Sequence, residues 1–359
     1  MNLKRSAAIV LAVLVVGAAV GWALRDRLAM SIAARAAQAR LGTDALAALP
    51  DGLHVGLCGA GSPFPDERRS GPCTLVVAGT RMLVFDAGSG GVRTLARMGF
   101  DAGRIDAIFL THFHSDHIDG LGEMMMQRWV GGVRDTPVPV HGPAGVTEVV
   151  EGFVKAYGAD RGYRVAHHGE AAVPPAGFGG TPRPFDTGAA GRVVVLAEGD
   201  LEVVAFAVEH PPVAPAVGYR IRYKDRSVVL SGDTRRSDAV RREAQGVDLL
   251  VHDALSEPLL ALLGRAAQHA GRPQLHKLFG DVVDYHASPE DAARTAAEAR
   301  VGYLLLNHIV PPLPPLPGLE KAFLGRAPDL FTGPLRVGVD GDFVSLPAGT
   351  KRIDPGRRP

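Results

Sequence analysis

The chain has 359 residues, room for one large domain or two small ones, and an apolar fraction of 46% that suits a buried core. Thirty-nine Lys and Arg stand against 38 Asp and Glu. That balance provides no broad basic field to collect a polyanion such as tRNA, although it is compatible with a local basic patch.

Lys4 and Arg5 precede an unbroken apolar run from Ala7 to Leu24, closed by Arg25, Asp26 and Arg27. The run is long enough to cross a bilayer as a helix. It also has the charged start and apolar middle of a secretory signal, but Gly21-Trp22-Ala23 is a weak cleavage site. Residues 1–24 are therefore expected to be an uncleaved membrane anchor, with a cleaved signal as second choice and a buried core helix as the bland alternative. Lys4 and Arg5 favour an inside N-terminus, while Arg25, Arg27, Arg35 and Arg40 pull the other way. The expected placement of the remaining chain is periplasmic or otherwise extracytoplasmic.

Residues 25–50 are rich in Ala and Arg at helical spacing and stop at Pro50, which predicts a juxtamembrane helix or linker. A globular domain follows over 51–350, with 351–359 as a tail. Short apolar runs then alternate with turns. Strands are predicted from Leu53, at "CTLVVAG" and "RMLVFDAG" joined through Gly79-Thr80, and at "IDAIFLTH". Helices are predicted at 89–98, from about His117 through Arg128, and at 144–157. Residues 160–192, with much Gly and Pro, read as an insertion or lid. Strands at 193–197, 201–208, 217–223 and 227–231 open the second half. Helices near 237–245, 256–268 and 288–299 alternate with strands at 247–252 and 302–306, and strands at 335–339 and 342–346 close it. "PPLPPLP" (311–317) fits neither helix nor central strand. In each half strands come first and helices follow, which predicts an α/β architecture of two sheets between helical layers. Cys58 and Cys73 lack zinc-knuckle spacing. They read as two buried thiols, or as one disulfide if the domain is exported.

The strongest chemical signal is "LTHFHSDHIDG" (110–120). His112, His114, Asp116 and His117 fall within six positions, just after an apolar strand. Imidazole and carboxylate suit zinc, and alternating residues on an extended segment project to one side. His112 and His114 can thus grip one ion and Asp116 and His117 a second. His210, Asp233 and His308 each follow a later apolar strand, so all can converge on one rim.

This set resembles the metallo-β-lactamase superfamily, whose hallmark is a His-any-His-any-Asp-His segment with a later His, Asp and His. The resemblance covers about Leu53 to Pro347 and implies an αββα sandwich. It also implies one Zn2+ on His112, His114 and His210, another on Asp116, His117 and His308, and Asp233 between them; iron or manganese fit the same ligands. Two cations sharing a water lower its pKa, so hydroxide is available near neutral pH. Asp86, in "LVFDAG", reads as a carboxylate orienting a ligand histidine or as the N-cap of the next helix.

"DYHASPEDAA" and "LLVHDAL" resemble motifs of the tRNase Z and arylsulfatase-like branch. There, His286 protonates the leaving oxygen and an acid at Asp253 orients it. The acid is more often Glu, and Asp is one methylene shorter. Asp116, His286 and Asp253 are the expected catalytic residues. Between His210 and Asp233 the sequence leaves no room for the long tRNA-gripping arm of bacterial tRNase Z. With near-zero net charge and an anchor, the reading is arylsulfatase-like: hydrolysis of a sulfate or phosphate ester in a small-molecule substrate, with nucleic acid unfavoured. The alternatives are a carboxylic ester, lactone or β-lactam hydrolase, a tRNase Z-type endoribonuclease lacking its arm, and a non-catalytic metal-binding assembly module. His167 and His168 read as solvated loop residues that could instead line an entrance, and Trp129 as core.

Overall fold

The computed structural model describes residues 3–41 and 44–358. Its first part is one helix, α1 (Leu3–Leu41), a unit by itself. No break separates residues 1–24 from the segment after them, and helix does not run on to Pro50: residues 45–49 are turns. At about 1.5 Å per residue, α1 is about 58 Å long, more than the roughly 30 Å of a bilayer core. Its window Ile9–Ala39 has a mean hydropathy of 1.9 and no buried residue, so by length and composition it can cross a membrane and is no core helix.

The second unit begins with β1 (Gly52–Gly59), β2 (Cys73–Ala78) and β3 (Arg81–Phe85), an antiparallel set. Gly79 takes a φ of 58° in the β2–β3 turn, a conformation that suits glycine. Then come α2 (Gly91–Arg97), β4 (Ala107–Phe109), α3 (Ser115–Ile118) and α4 (Leu121–Gly132). They are followed by β5 (Val138–Gly142), α5 (Val146–Ala156), α6 (Gly158–His168) and β6 (Gly180–Pro184). The expected lid at 160–192 is therefore not one irregular loop. Its first part is α6, whose Val165 packs with Tyr157 on Trp129, and a later part is an edge strand paired to β5. Glycine and proline dominate only after Gly169, so the composition of the whole window masked the helix. Trp129 is fully buried and donates to the Pro174 carbonyl at 2.7 Å, a core role.

The second half contains β7 (Arg192–Glu198), β8 (Leu201–Ala207), β9 (Val217–Tyr223), β10 (Arg226–Leu230), α7 (Asp238–Glu243) and β11 (Leu249–Leu255). After them come α8 (Glu257–His269), α9 (Pro273–Asp281), α10 (Pro289–Ala299), β12 (Tyr303–Val310), α11 (Leu319–Leu324), α12 (Ala327–Leu330), β13 (Leu335–Val337), β14 (Asp342–Pro347) and β15 (Asp354–Arg357). Residues 354–357 pair with β14 and so are an edge strand, not a tail. Helix α9 went unpredicted: it is short, none of its residues is buried, and it follows α8 with only a brief turn between.

One sheet has the order β15-β14-β1-β2-β3-β4-β5-β6, the other β13-β12-β11-β10-β9-β8-β7. Their inner faces share one core, with Leu53, Val55, Leu83, Phe85 and Phe109 of the first sheet against Val203, Tyr219, Ile221, Val251 and Leu305 of the second. The alanines of α10 cover the outer face of the second sheet. This is the expected sandwich. Tyr219 stacks edge-on against Phe85, and its hydroxyl donates to the Leu110 carbonyl at 2.6 Å. That bond crosses the sandwich where the histidine-rich segment begins. Cys58 and Cys73 form a disulfide, against the preferred reading of two thiols. Paired neighbouring strands bring them together, a proximity that sequence spacing alone does not reveal.

Candidate metal centre

The parallel strands β3, β4, β10, β11 and β12 all end on one rim. In parallel sheets, residues just past the C-terminal strand ends converge. Asp86 follows β3 there, Thr111 and His112 follow β4, Asp233 follows β10, and Asp253 sits near the end of β11. His308 is different, because β12 continues past it to Val310. The register steps from Asp253↔Asn307 to Ala254↔Ile309, so His308 is the extra residue of a bulge, at a φ of 46°. A bulge re-aims one side chain without ending the strand.

All seven expected ligands meet. Ligand atoms of His112, His114, His210 and Asp233 lie within 4.8 Å of one another, and so do those of Asp116, His117 and His308. Asp233, His286 and His308 form a third such group, which places Asp233 between the first two sets and His286 beside them.

The hydrogen bonds show which nitrogens face the centre. His210 Nδ1 donates to the Tyr285 carbonyl at 2.9 Å, leaving Nε2 as a lone pair 3.3 Å from His114 Nδ1. His117 Nδ1 donates to Asp86 Oδ2 at 2.8 Å, leaving Nε2 3.2 Å from Asp233 Oδ2. His308 Nε2 lies 3.2 Å from Asp116 Oδ2 and 3.3 Å from Asp233 Oδ2. His112 is fully buried, and its Nε2 has no hydrogen-bond partner. Lone pairs and carboxylates this close require positive charge among them. Protons can supply part of it: burial opposes protonation of His117, yet Asp233, Asp86 and Asp116 hold its pKa well above the usual imidazole range. Burial pushes His112 the other way, well below that range. A buried neutral imidazole with an unpartnered nitrogen is a metal-ligand donor, and the donor set fits divalent cations.

Asp86 has the orienting role and not the capping one, since Gly90 occupies the N-cap of α2. Its carboxylate also accepts from the Thr111 amide at 2.8 Å and from the Thr111 hydroxyl. These bonds hold Asp86 at a φ of 59°, a strained conformation for a residue with a side chain. Asp253, despite its shorter side chain, reaches His286: Oδ2 accepts from Nδ1 at 3.0 Å. His252 Nδ1 lies 3.0 Å from the other oxygen. Burial raises the Asp253 pKa, but the adjacent His252 and the hydrogen bond from His286 outweigh it and keep the carboxyl below its ordinary value.

A cavity of about 50 Å³ opens at Asp116, Asp233, His286 and His308, and Phe64 and Tyr285 are among its walls. Neither wall residue stood out in the sequence, because one aromatic in a Pro-rich loop and one beside a histidine carry no pattern. His167 and His168 are not among the lining residues; they are exposed on α6.

Comparison with known proteins agrees with this geometry. The model of the beta-lactamase superfamily domain matches residues 81–309. A ribonuclease Z of Mycolicibacterium gilvum (strain PYR-GCK) is 37% identical over 299 residues, covering 83% of this chain and 97% of that protein. A ribonuclease Z of Mycobacterium bovis (strain BCG / Pasteur 1173P2) is 36% identical over 290 residues, covering 80% and 96%. Among solved structures, a metallo-β-lactamase-fold protein from Bacillus subtilis superposes with a TM-score of 0.59 at 20% identity, over 82% of this chain and all of that one. The short form of human tRNase Z gives 0.57 at 19% identity, over 82% and 99%.

These findings overturn the arylsulfatase-like reading and, with it, the small-molecule ester substrate and the exclusion of nucleic acid. Two arguments had led there. Net charge averages over the whole chain and says nothing of a local contact. The missing arm does not separate this chain from its relatives, since the match takes in 97% of a protein that carries the name ribonuclease Z. Between His210 and Asp233 the structure has only a short loop and the β9–β10 hairpin. The chain belongs to the metallo-β-lactamase superfamily and is a metal-dependent hydrolase.

Proposed function

We propose that the chain is a phosphodiesterase of the ribonuclease Z type, cutting RNA with two zinc ions. The observation that carries this reading is the 36–38% identity to proteins of that name over 80–83% of the chain. His112, His114 and His210 would hold one ion, and Asp116, His117 and His308 the other, with Asp233 between them. Zinc is chosen because imidazole and carboxylate donors suit it. When bound, the two cations supply Lewis acidity at the phosphoryl group and a water of lowered pKa.

The chain's own residues complete the reaction. Cleavage breaks the bond from phosphorus to the leaving ribose oxygen, which needs a proton. His286 donates to Asp253 through Nδ1, so Nε2 is the atom that would deliver it. The Asp253 carboxylate fixes the ring and balances its charge while it is protonated. Asp86 holds the ring of His117, and the Tyr285 carbonyl that of His210. The test is cleavage of a tRNA precursor transcript by full-length, zinc-loaded protein. A discrete cut lost in His286→Ala supports the reading; an intact transcript beside rapid hydrolysis of bis(4-nitrophenyl) phosphate removes RNA from it and leaves a phosphodiesterase.

We further propose that α1 anchors the chain in a membrane with the hydrolase domain outside the cytoplasm, a cleaved signal being the second choice. The exposed apolar surface of α1 and the Cys58–Cys73 disulfide support this placement. Such a domain would meet only RNA outside the cytoplasm. A reporter fused at the C-terminus that is active only in the cytoplasm should stay silent, and activity there would reverse the orientation.

A further inference from the structure

The reaction cavity, of about 50 Å³, is lined by Asp116, Asp233, His286 and His308 together with Phe64 and Tyr285. Phe64 also lines an adjoining open groove of about 700 Å³, which shares Asp116 with the cavity. A substrate with its phosphorus in the cavity and a substituent in the groove therefore passes Phe64.

Both rings are held in place. Phe64 lies on the loop between β1 and β2, whose ends the Cys58–Cys73 disulfide ties together. Its ring is backed by Phe279 of α9, with centroids 5.8 Å apart. The Tyr285 ring lies 4.8 Å from His210 and 4.9 Å from His286. Each ring is partly exposed. The groove has the wrong charge for a second phosphate. It carries Glu67 and Asp119, and its one arginine, Arg69, is buried against Asp66 at 3.0 Å. Carboxylates accept hydrogen bonds from the edges of bases, and aromatic faces stack on their planes.

We infer that Phe64 is a specificity-determining residue that stacks on the nucleobase next to the scissile phosphate, where the cavity meets the groove. This rests on the phosphodiesterase reading above and adds that one flanking group is a base. Flat stacking is tolerant of base identity, so Phe64 selects for a base and not for a particular one.

The test compares thymidine 5′-(4-nitrophenyl phosphate), which carries one base, with methyl 4-nitrophenyl phosphate, which carries none, on the full-length zinc-loaded protein. The wild type is expected to prefer the first in kcat/KM. Phe64→Ala should shrink that preference about tenfold, mainly through KM. Phe64→Trp, which keeps an aromatic face, should retain it. Equal loss on both esters in Phe64→Ala would show a purely structural role and overturn the proposal, as would an unchanged preference. If the wild type cleaves neither ester nor RNA, the phosphodiesterase reading falls separately. Binding of uridine 3′-phosphate, measured by calorimetry against inorganic phosphate, then decides: a Kd ratio unaffected by Phe64→Ala overturns the base-stacking claim.

Discussion

The two halves of the site are built in opposite ways. The first half delivers His112, His114, Asp116 and His117 from one short segment after β4, with Asp86 behind it. The second half delivers His210, Asp233, Asp253, His286 and His308 from separate elements, one of them through a bulge. The first half is a local motif. The second exists only when the sheets have registered, so its geometry depends on the core. Substitutions at the local motif should therefore act on metal and chemistry, while those tying the halves together should act on stability as well.

The largest effect is expected at Asp233, where the halves meet. Asp233→Ala should cost at least about a thousandfold in kcat, because both cations would lose the carboxylate proposed to lie between them. A loss below tenfold, with metal content intact, would place the bridge elsewhere. Next comes His286→Ala, with a loss of about 100- to 10,000-fold on RNA, whose leaving oxygen is strongly basic. The loss on bis(4-nitrophenyl) phosphate should be much smaller, since nitrophenolate leaves without a proton; equal losses would argue for a ligand role within the Asp233–His286–His308 group. Asp86→Asn keeps the shape but weakens the hold on His117, and should lower metal affinity about 10- to 100-fold in chelator competition. The smallest effect sharpens the link between the halves. Tyr219→Phe removes the donor to the buried Leu110 carbonyl and should destabilise the fold by about 1–3 kcal/mol in denaturant titration. With metal saturating, its kcat should stay within about threefold of wild type.

The same contrast governs what the sequence made legible. A ligand cluster on one segment is visible because spacing alone puts its side chains on one side. The isolated candidates His210, Asp233 and His308 stand out through their place after apolar runs; the converging strand ends bear this out for His210 and Asp233, while His308 reaches the rim through a bulge within β12. Asp253 and His286 came from the family resemblance; only the structure showed that an aspartate is long enough to join them. The alternation of strands and helices exposed the sandwich, since each buried strand needs its own apolar run. The pairing of β15 and the disulfide were not legible, because each depends on a partner that only the folded sheet brings near, and α9 is short with no buried residue to mark it. Phe64 and Tyr285 were missed for the same reason, becoming a pair only when the loop after β1 and the turn before α10 meet over the cavity. The substrate was not legible: the motif at His286 fits both the tRNase Z and the arylsulfatase-like reading, and neither whole-chain charge nor one absent segment separates them.

The central claim is that the two donor sets hold two metal ions at once. Elemental analysis of the purified full-length protein, alongside His112→Ala and His308→Ala, tests it most directly. Two zinc ions per chain in the wild type, and fewer than two in each variant, are the predicted result. One ion or none in the wild type after zinc reconstitution would contradict it.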